Sequence, residues 1–188
     1  VIPNGVDTGV FRPDAERRAA TRAALGVSQE FVWLAAGRLM WKKDYPTLLR
    51  AAARMPGCVL WIAGSGPQEE ELRALAAELG VTARFLGARG DMPALMNSAD
   101  AVVLSSVVEG LPMVLLEAAA SGLPAVATRA GGSDEVVIDG GTGFLAPCSD
   151  SAALAEAMIR LAALPEQARL KMGQAARAAA LERFDLCM

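Results

Sequence analysis

Histidine is absent from the 188 residues. By itself, then, the chain has no Ser–His or Cys–His nucleophile pair, no imidazole metal ligand and no histidine general base. A partner, or a further part of the same protein, could still supply one. Cysteine is scarce: Cys58, Cys148 and Cys187 stand far apart with no C-x-x-C pair. The odd number and wide spacing fit reduced cytosolic thiols better than a disulfide framework or a zinc site. No apolar run approaches the roughly 18–20 residues of a membrane span, and no signal-peptide pattern opens the chain. An excess of basic residues is also lacking, with 18 Lys+Arg against 21 Asp+Glu and a net charge of −3. That balance argues against nucleic acid held on a general basic surface. There is no initiator Met: the chain opens at Val1 with VIPNGVD, which reads as a piece of something longer.

What the sequence does have is a core. Hydrophobic residues make up 53% and charged residues 21%, which excludes a disordered chain. The length suits one domain spanning residues 1–188. Short apolar runs at 31–36, 58–63, 83–86, 101–104, 125–128 and 143–146 predict strands. Between and after them, 45–55, 68–79, 92–98, 112–121, 151–164 and 165–182 predict helices. In 68–79 the apolar Leu72, Leu75, Ala76 and Leu79 follow the helical period, three acids open the first turn, and Gly80 closes it. Pro112 is placed at the first helical position, where its missing N–H costs nothing. Alternating strands and helices imply an α/β fold, a Rossmann-like parallel sheet with helices on both faces. Such sheets bind ligands at the carboxyl ends of their strands.

The residues after the fourth strand, from Ser106 to Glu117, carry the strongest chemical signal. Glu109 lies in a loop and Glu117 inside the following helix. Between them the helix N-terminus offers free N–H groups, from about Gly110 to Val114, to an anion. Glu117 lies roughly 7–8 Å along the axis, about the span from a pyrophosphate to the ribose of the same nucleotide. A carboxylate there can accept both ribose hydroxyls. In the plainer alternative Glu109 caps a loop and Glu117 lies on a solvated face. Against it, Glu117 interrupts an apolar segment, 111–120, and a buried carboxylate needs partners.

After the first strand comes the cationic loop Gly37-Arg38-Leu39-Met40-Trp41-Lys42-Lys43-Asp44. Arg38 offers a fork and Lys43 a point charge to a diphosphate; an ordinary solvated basic loop is the alternative. Gly64-Ser65-Gly66 lacks the third glycine of the dinucleotide fingerprint, since residue 69 is Glu69, which excludes a nicotinamide-dependent dehydrogenase. Gly64 and Gly66 read as a tight turn letting backbone approach a ligand, or simply as a turn. Arg89, in Gly87-Ala88-Arg89-Gly90-Asp91, is placed near a nucleobase. Gly131-Gly132, with Glu135, could shape the same cleft.

Together these segments resemble the donor-binding, carboxyl-terminal half of a retaining GT-B glycosyltransferase of family four. The matching pieces begin with Pro3-Asn4-Gly5-Val6-Asp7 and Phe11, Gly37-Arg38-Leu39 with Lys43, and Ala63-Gly64-Ser65-Gly66-Pro67. They continue through Phe85-Leu86-Gly87, Ser106 to Glu117, Gly122-Leu123-Pro124 and Gly141-Thr142-Gly143-Phe144-Leu145. The resemblance implies transfer of a sugar from a UDP- or GDP-linked donor, with retention, no cofactor and no metal. It implies that Arg38 and Lys43 bind the diphosphate, Glu109 the sugar and Glu117 the ribose, with backbone contacts from Gly110, Leu111 and Met113. Asp44 departs from the pattern, because Gly commonly follows the Lys. The resemblance also implies an amino-terminal acceptor domain and a final crossover helix, both outside this chain. It implies a parent enzyme working in the cytoplasm, with room for peripheral membrane association. The fragment alone is then expected to bind donor weakly and transfer little. A GT-B sugar-nucleotide epimerase and a non-catalytic nucleotide-binding module are the alternatives.

Overall fold

The computed structural model describes residues 5–186; Val1 to Asn4, with the Pro3-Asn4 part of the first matching segment, and Cys187 lie outside them. In chain order come α1 (Ala15–Ala24), β1 (Val32–Ala36), a short 3-10 turn (Trp41–Lys43), α2 (Tyr45–Ala52), β2 (Val59–Ala63), α3 (Glu69–Glu78), β3 (Ala83–Gly87) and α4 (Met92–Ser98). Then follow β4 (Ala101–Leu104), α5 (Met113–Ala120), β5 (Ala125–Thr128), α6 (Ser133–Val136), β6 (Gly143–Ala146), α7 (Ser151–Ala162) and α8 (Glu166–Arg183). All neighbouring strand pairs are parallel, in the order β3-β2-β1-β4-β5-β6.

The inner strands β1, β2, β4 and β5 are buried on both faces, whereas the edge strand β3 is only partly covered. Val32 and Leu34 belong to one core cluster, and Trp33 and Ala35 to the other, as a period of two requires when helices cover both sides. Strand order reverses between β1 and β4. The crevice beyond their carboxyl ends is where an open α/β sheet accepts a ligand, so the loops after β1 and β4 occupy the decisive place.

The six expected strands and six expected helices are all present, with small shifts at their ends. Three elements were not anticipated. One is α1, whose start is capped by Asp14 accepting from the Arg17 N–H. It is tied down through Arg18 and Arg22, which reach Asp100 at 2.7 and 3.3 Å. The others are α6 and the 3-10 turn. Pro112 stands at the N-cap, φ −73° and ψ 108°, one position before the helix begins. Asp44 explains its own departure from the pattern: at φ 44° and ψ 46° it holds the left-handed conformation a glycine would take. Its carboxylate accepts from the Thr47 N–H at 3.3 Å and so caps α2. Asp tolerates that conformation better than most residues.

The long α8 closes over the turn after α5. A Cβ on Gly173 would stand 2.0 Å from the Gly122 carbonyl oxygen. In an unconstrained helix, Gly→Ala is stabilising by about 1 kcal/mol. Here Gly173→Ala must push two backbones apart, at a cost of about 1–3 kcal/mol or more. The expected result is a melting temperature lowered by roughly 2–12 °C, read by circular dichroism; an unchanged or raised value would contradict this packing.

Candidate nucleotide-sugar site

The loops after β1, β2, β3 and β4 enclose a hollow of about 480 Å³ lined by Lys43, Gly64, Arg89, Glu109, Leu111, Met113 and Glu117. These residues come from four separate segments. The sheet order brings them together, since each sits just past a strand's carboxyl end. Three expected residues do not line it. Arg38 follows Gly37, which does line the hollow, but its side chain is exposed and is in no ion pair among the described residues. Gly110 is exposed, and its carbonyl accepts from the Gly132 N–H at 2.7 Å. Gly66 lines a different hollow, with Glu69, Glu70 and Arg73.

The two loop glycines serve the protein's own backbone. A Cβ on Gly64, where φ is +142°, would lie 2.0 Å from the Gly37 carbonyl oxygen, and one on Gly66 2.3 Å from that of Leu39. The sheet pattern continues here beyond the strands: the Gly37 N–H donates to Ala63 and the Leu39 N–H to Ser65, at 2.9 and 3.0 Å. The close approach expected at Gly64 and Gly66 is therefore met by the β1 loop. That contact fixes the path of the chain into Lys43.

Lys43 Nζ lies 2.6 Å from Glu109 Oε1, with the two side chains 21% and 13% exposed. Ser106 donates its hydroxyl to the same oxygen, also at 2.6 Å. The loop bearing Glu109 is pinned by its backbone as well. The Val107 N–H donates to the Lys42 carbonyl at 2.9 Å, and Ser105 Oγ donates to the Lys43 carbonyl at 2.7 Å. Gly131, at φ +56°, has no room for a Cβ, which would fall 1.9 Å from the Glu109 carbonyl oxygen. Gly131-Gly132 thus packs on the backbone of Glu109 and Gly110 and does not itself line the hollow, while Glu135 is exposed on the first turn of α6. Buried Tyr45, the sole tyrosine, donates to the Gly37 carbonyl at 3.1 Å. Burial, and secondarily the Glu109 charge, push its phenol well above the ordinary range, so it stays a donor.

On the other side of the hollow, α5 begins with no side-chain cap. The Leu115 N–H donates to the Pro112 carbonyl at 3.0 Å, which leaves the N–H groups of Met113 and Val114 and the positive end of the dipole available to an anion. Glu117 projects from this helix four residues after Met113, about 6 Å along the axis. Burial pushes its carboxyl up to about 7. Arg89 is held by Asp91 through two hydrogen bonds at 2.8 and 2.7 Å. That pairing keeps the Asp91 carboxyl below its usual range. The hollow thus combines a cation, helix N–H donors and two partly buried acids, Glu109 on the loop after β4 and Glu117 on α5. Among the described residues no group of His, Cys, Asp and Glu could hold a metal ion, and no helix is long and apolar enough to cross a membrane.

Sequence reasoning missed Ser106, Thr128 and Tyr45 as parts of this framework. Ser106 precedes Glu109 by one helical turn's spacing, a signal available but weak; Thr128 donates its hydroxyl to the Ser106 carbonyl 22 residues back and leaves no local trace, while Tyr45 reaches only eight residues back to Gly37, across a loop whose path the residues do not specify.

Residues 17–179 match the family model for glycosyl transferases group 1. The chain is 37% identical over 198 aligned positions to a GDP-mannose-dependent alpha-(1-6)-phosphatidylinositol monomannoside mannosyltransferase of Mycolicibacterium smegmatis, covering 97% of this chain and 52% of that protein. It is 41% identical over 184 positions to a D-inositol 3-phosphate glycosyltransferase of Saccharomonospora viridis, covering 88% and 42%. It superimposes on Anabaena Alr3699/HepE, solved with UDP and glucose, with a TM-score of 0.92 at 32% identity, covering all of this chain and 53% of that one. The chain spans about half the length of the curated relatives it matches. Its parallel sheet is the Rossmann-like fold of a GT-B carboxyl-terminal domain. With the family model spanning most of the sequence and relatives this similar along nearly all of it, the chain belongs to the glycosyl transferases group 1 family.

Proposed function

We propose that residues 1–188 form the donor-binding domain of a retaining glycosyltransferase that moves a sugar from a UDP- or GDP-linked donor to an acceptor. The observation that carries this reading is the convergence of Lys43, Glu109, Glu117 and the uncapped start of α5 on one hollow. The diphosphate sits over the opening turn of α5, where N–H dipoles and Lys43 stabilise it as negative charge grows on the leaving group. Arg38, exposed beside Gly37, turns in to share that charge. Cations and backbone donors do this work without a metal. Glu117 accepts the ribose hydroxyls, Glu109 faces the sugar, and the loop holding Arg89 lies against the base.

The relatives' names support both donor classes: one is described as GDP-mannose-dependent, and the Anabaena structure holds UDP and glucose. A second domain of similar size, completing the cleft and binding the acceptor, belongs to the proposal; its support is that the chain covers about half of each relative. A reducing, cytoplasmic setting accords with the free thiols of Cys58 and Cys148. Calorimetric titration of the chain with UDP, GDP, ADP and NAD tests the reading. Binding of one nucleoside diphosphate, weakened at least tenfold by Arg38→Ala and by Glu117→Ala, is the expected result. Equal binding by the variants would overturn the site.

A further inference from the structure

Glu109 is asked to present a carboxylate to a sugar, yet it lies on a loop. Both of its hydrogen-bonded neighbours, Lys43 Nζ and Ser106 Oγ, use the same oxygen, Oε1, at 2.6 Å each. Oε2 accepts no hydrogen bond among the described residues. One oxygen is an anchor and the other is left for a ligand. When Lys43 turns to a diphosphate, the Ser106 hydroxyl is the group that remains on Oε1.

Ser106 is itself locked. It is 0% exposed, as is Thr128 at the end of β5. The Thr128 hydroxyl donates to the Ser106 carbonyl at 2.5 Å, and Cys148 Sγ approaches the same oxygen at 3.7 Å. Thr128 is a strand residue of the rigid sheet, so its hydrogen bond transmits the position of β5 to the loop after β4. A buried hydroxyl that loses its partner is costly, and a fully satisfied buried network is correspondingly stiff.

We propose that Ser106 and Thr128 are positioning residues that hold Glu109 by one oxygen and aim the other at the donor's sugar. The inference rests on the reading that Glu109 faces the sugar. Neither residue touches the donor; each acts through the next. Geometry of this kind matters because misplacement by about 1 Å can cost as much as two powers of ten in rate.

The test is the ratio of dissociation constants for a nucleoside diphosphate and its sugar conjugate, measured with UDP against UDP-glucose and GDP against GDP-mannose. A loss of fold lowers both affinities together, whereas a misaimed Glu109 alters only the conjugate. Ser106→Ala is expected to shift the ratio at least fivefold against the conjugate, with binding of the bare diphosphate within twofold of the wild type. Glu109→Gln is expected to shift it equally, and to add nothing in a Ser106→Ala background. Thr128→Val shifts it in the same direction, and Thr128→Ser, which keeps the hydroxyl, restores the wild-type ratio. If Glu109→Gln moves the ratio while Ser106→Ala and Thr128→Val do not, the positioning role is wrong and the sugar-side reading stands. The positioning role is equally wrong if the Ser106 and Thr128 variants weaken both ligands alike. If Glu109→Gln leaves the ratio unchanged, or the wild-type chain binds neither pair, the sugar-side reading falls and the positioning role falls with it.

Discussion

Glu117→Gln is expected to weaken binding of UDP-glucose or GDP-mannose roughly 100-fold while making the unliganded chain more stable at neutral pH. The affinity loss follows from two ribose hydroxyls that donate to a carboxylate, each such charged hydrogen bond contributing about 1.5–3 kcal/mol. The stability gain follows from burial. In the folded chain burial pushes the Glu117 carboxyl up to about 7, from an ordinary value of 4.5. The folded state therefore holds this proton more tightly than the unfolded one. Between pH about 4.5 and 7 the group is neutral when folded and ionised when unfolded, so stability falls as pH rises across that window. Above pH 7 the native chain carries a half-buried negative charge that Gln removes. The expected rise in melting temperature at pH 8 is a few degrees. Ligand binding has the opposite dependence, because the ionised form is the one that accepts from the ribose. Affinity should improve about tenfold from pH 6 to pH 8 and become flat in the Gln variant. The sugar conjugates are the right probes, since a terminal phosphate with a second ionisation near 6 would titrate in the same range. A wild-type affinity independent of pH would contradict the role given to Glu117.

Lys43→Ala should be comparably severe, for two reasons that add. The diphosphate loses a cation, and Glu109, 2.6 Å away in the unliganded chain, is left as an unneutralised acid beside the incoming phosphates. A loss of roughly 100-fold for UDP or GDP is expected, with the corresponding nucleoside bound as by the wild type. The double variant Lys43→Ala with Glu109→Gln should recover about five- to tenfold of that loss, because it also removes the repelling charge. Recovery distinguishes electrostatics from a damaged loop: a double variant no better than Lys43→Ala would point to the latter.

Most of the sheet could be read from the residues, because strands buried on both faces are short apolar runs, and the comparable run at 113–116 is marked as helical by Pro112 before it and the alanines after it. The helices that pack apolar residues on the sheet were equally legible. Helix α1 was not: its one buried residue is Arg22, so its stability comes from guanidinium contacts to Asp100 and backbone carbonyls, and hydrophobic periodicity is silent about such a helix. Of the site, Glu117 was visible as an acid interrupting an apolar segment, and its raised ionisation is the physical form of that anomaly. Glu109 and Lys43 could be placed because both follow strands at the binding edge. Their mutual contact could not, since it depends on the path of two loops. The same applies to Arg38, whose side chain the loop path leaves outside the hollow, and to Gly64 and Gly66, whose neighbours are backbone atoms of another segment.

The most direct measurement is a crystal structure of this chain grown with UDP or GDP. The predicted result is a diphosphate within hydrogen-bond reach of Lys43 Nζ and the first-turn N–H groups of α5, with the ribose hydroxyls on Glu117. A nucleotide seated elsewhere would contradict it. One such place is the hollow of about 410 Å³ at the opposite ends of the strands, lined by residues of α1 and α8.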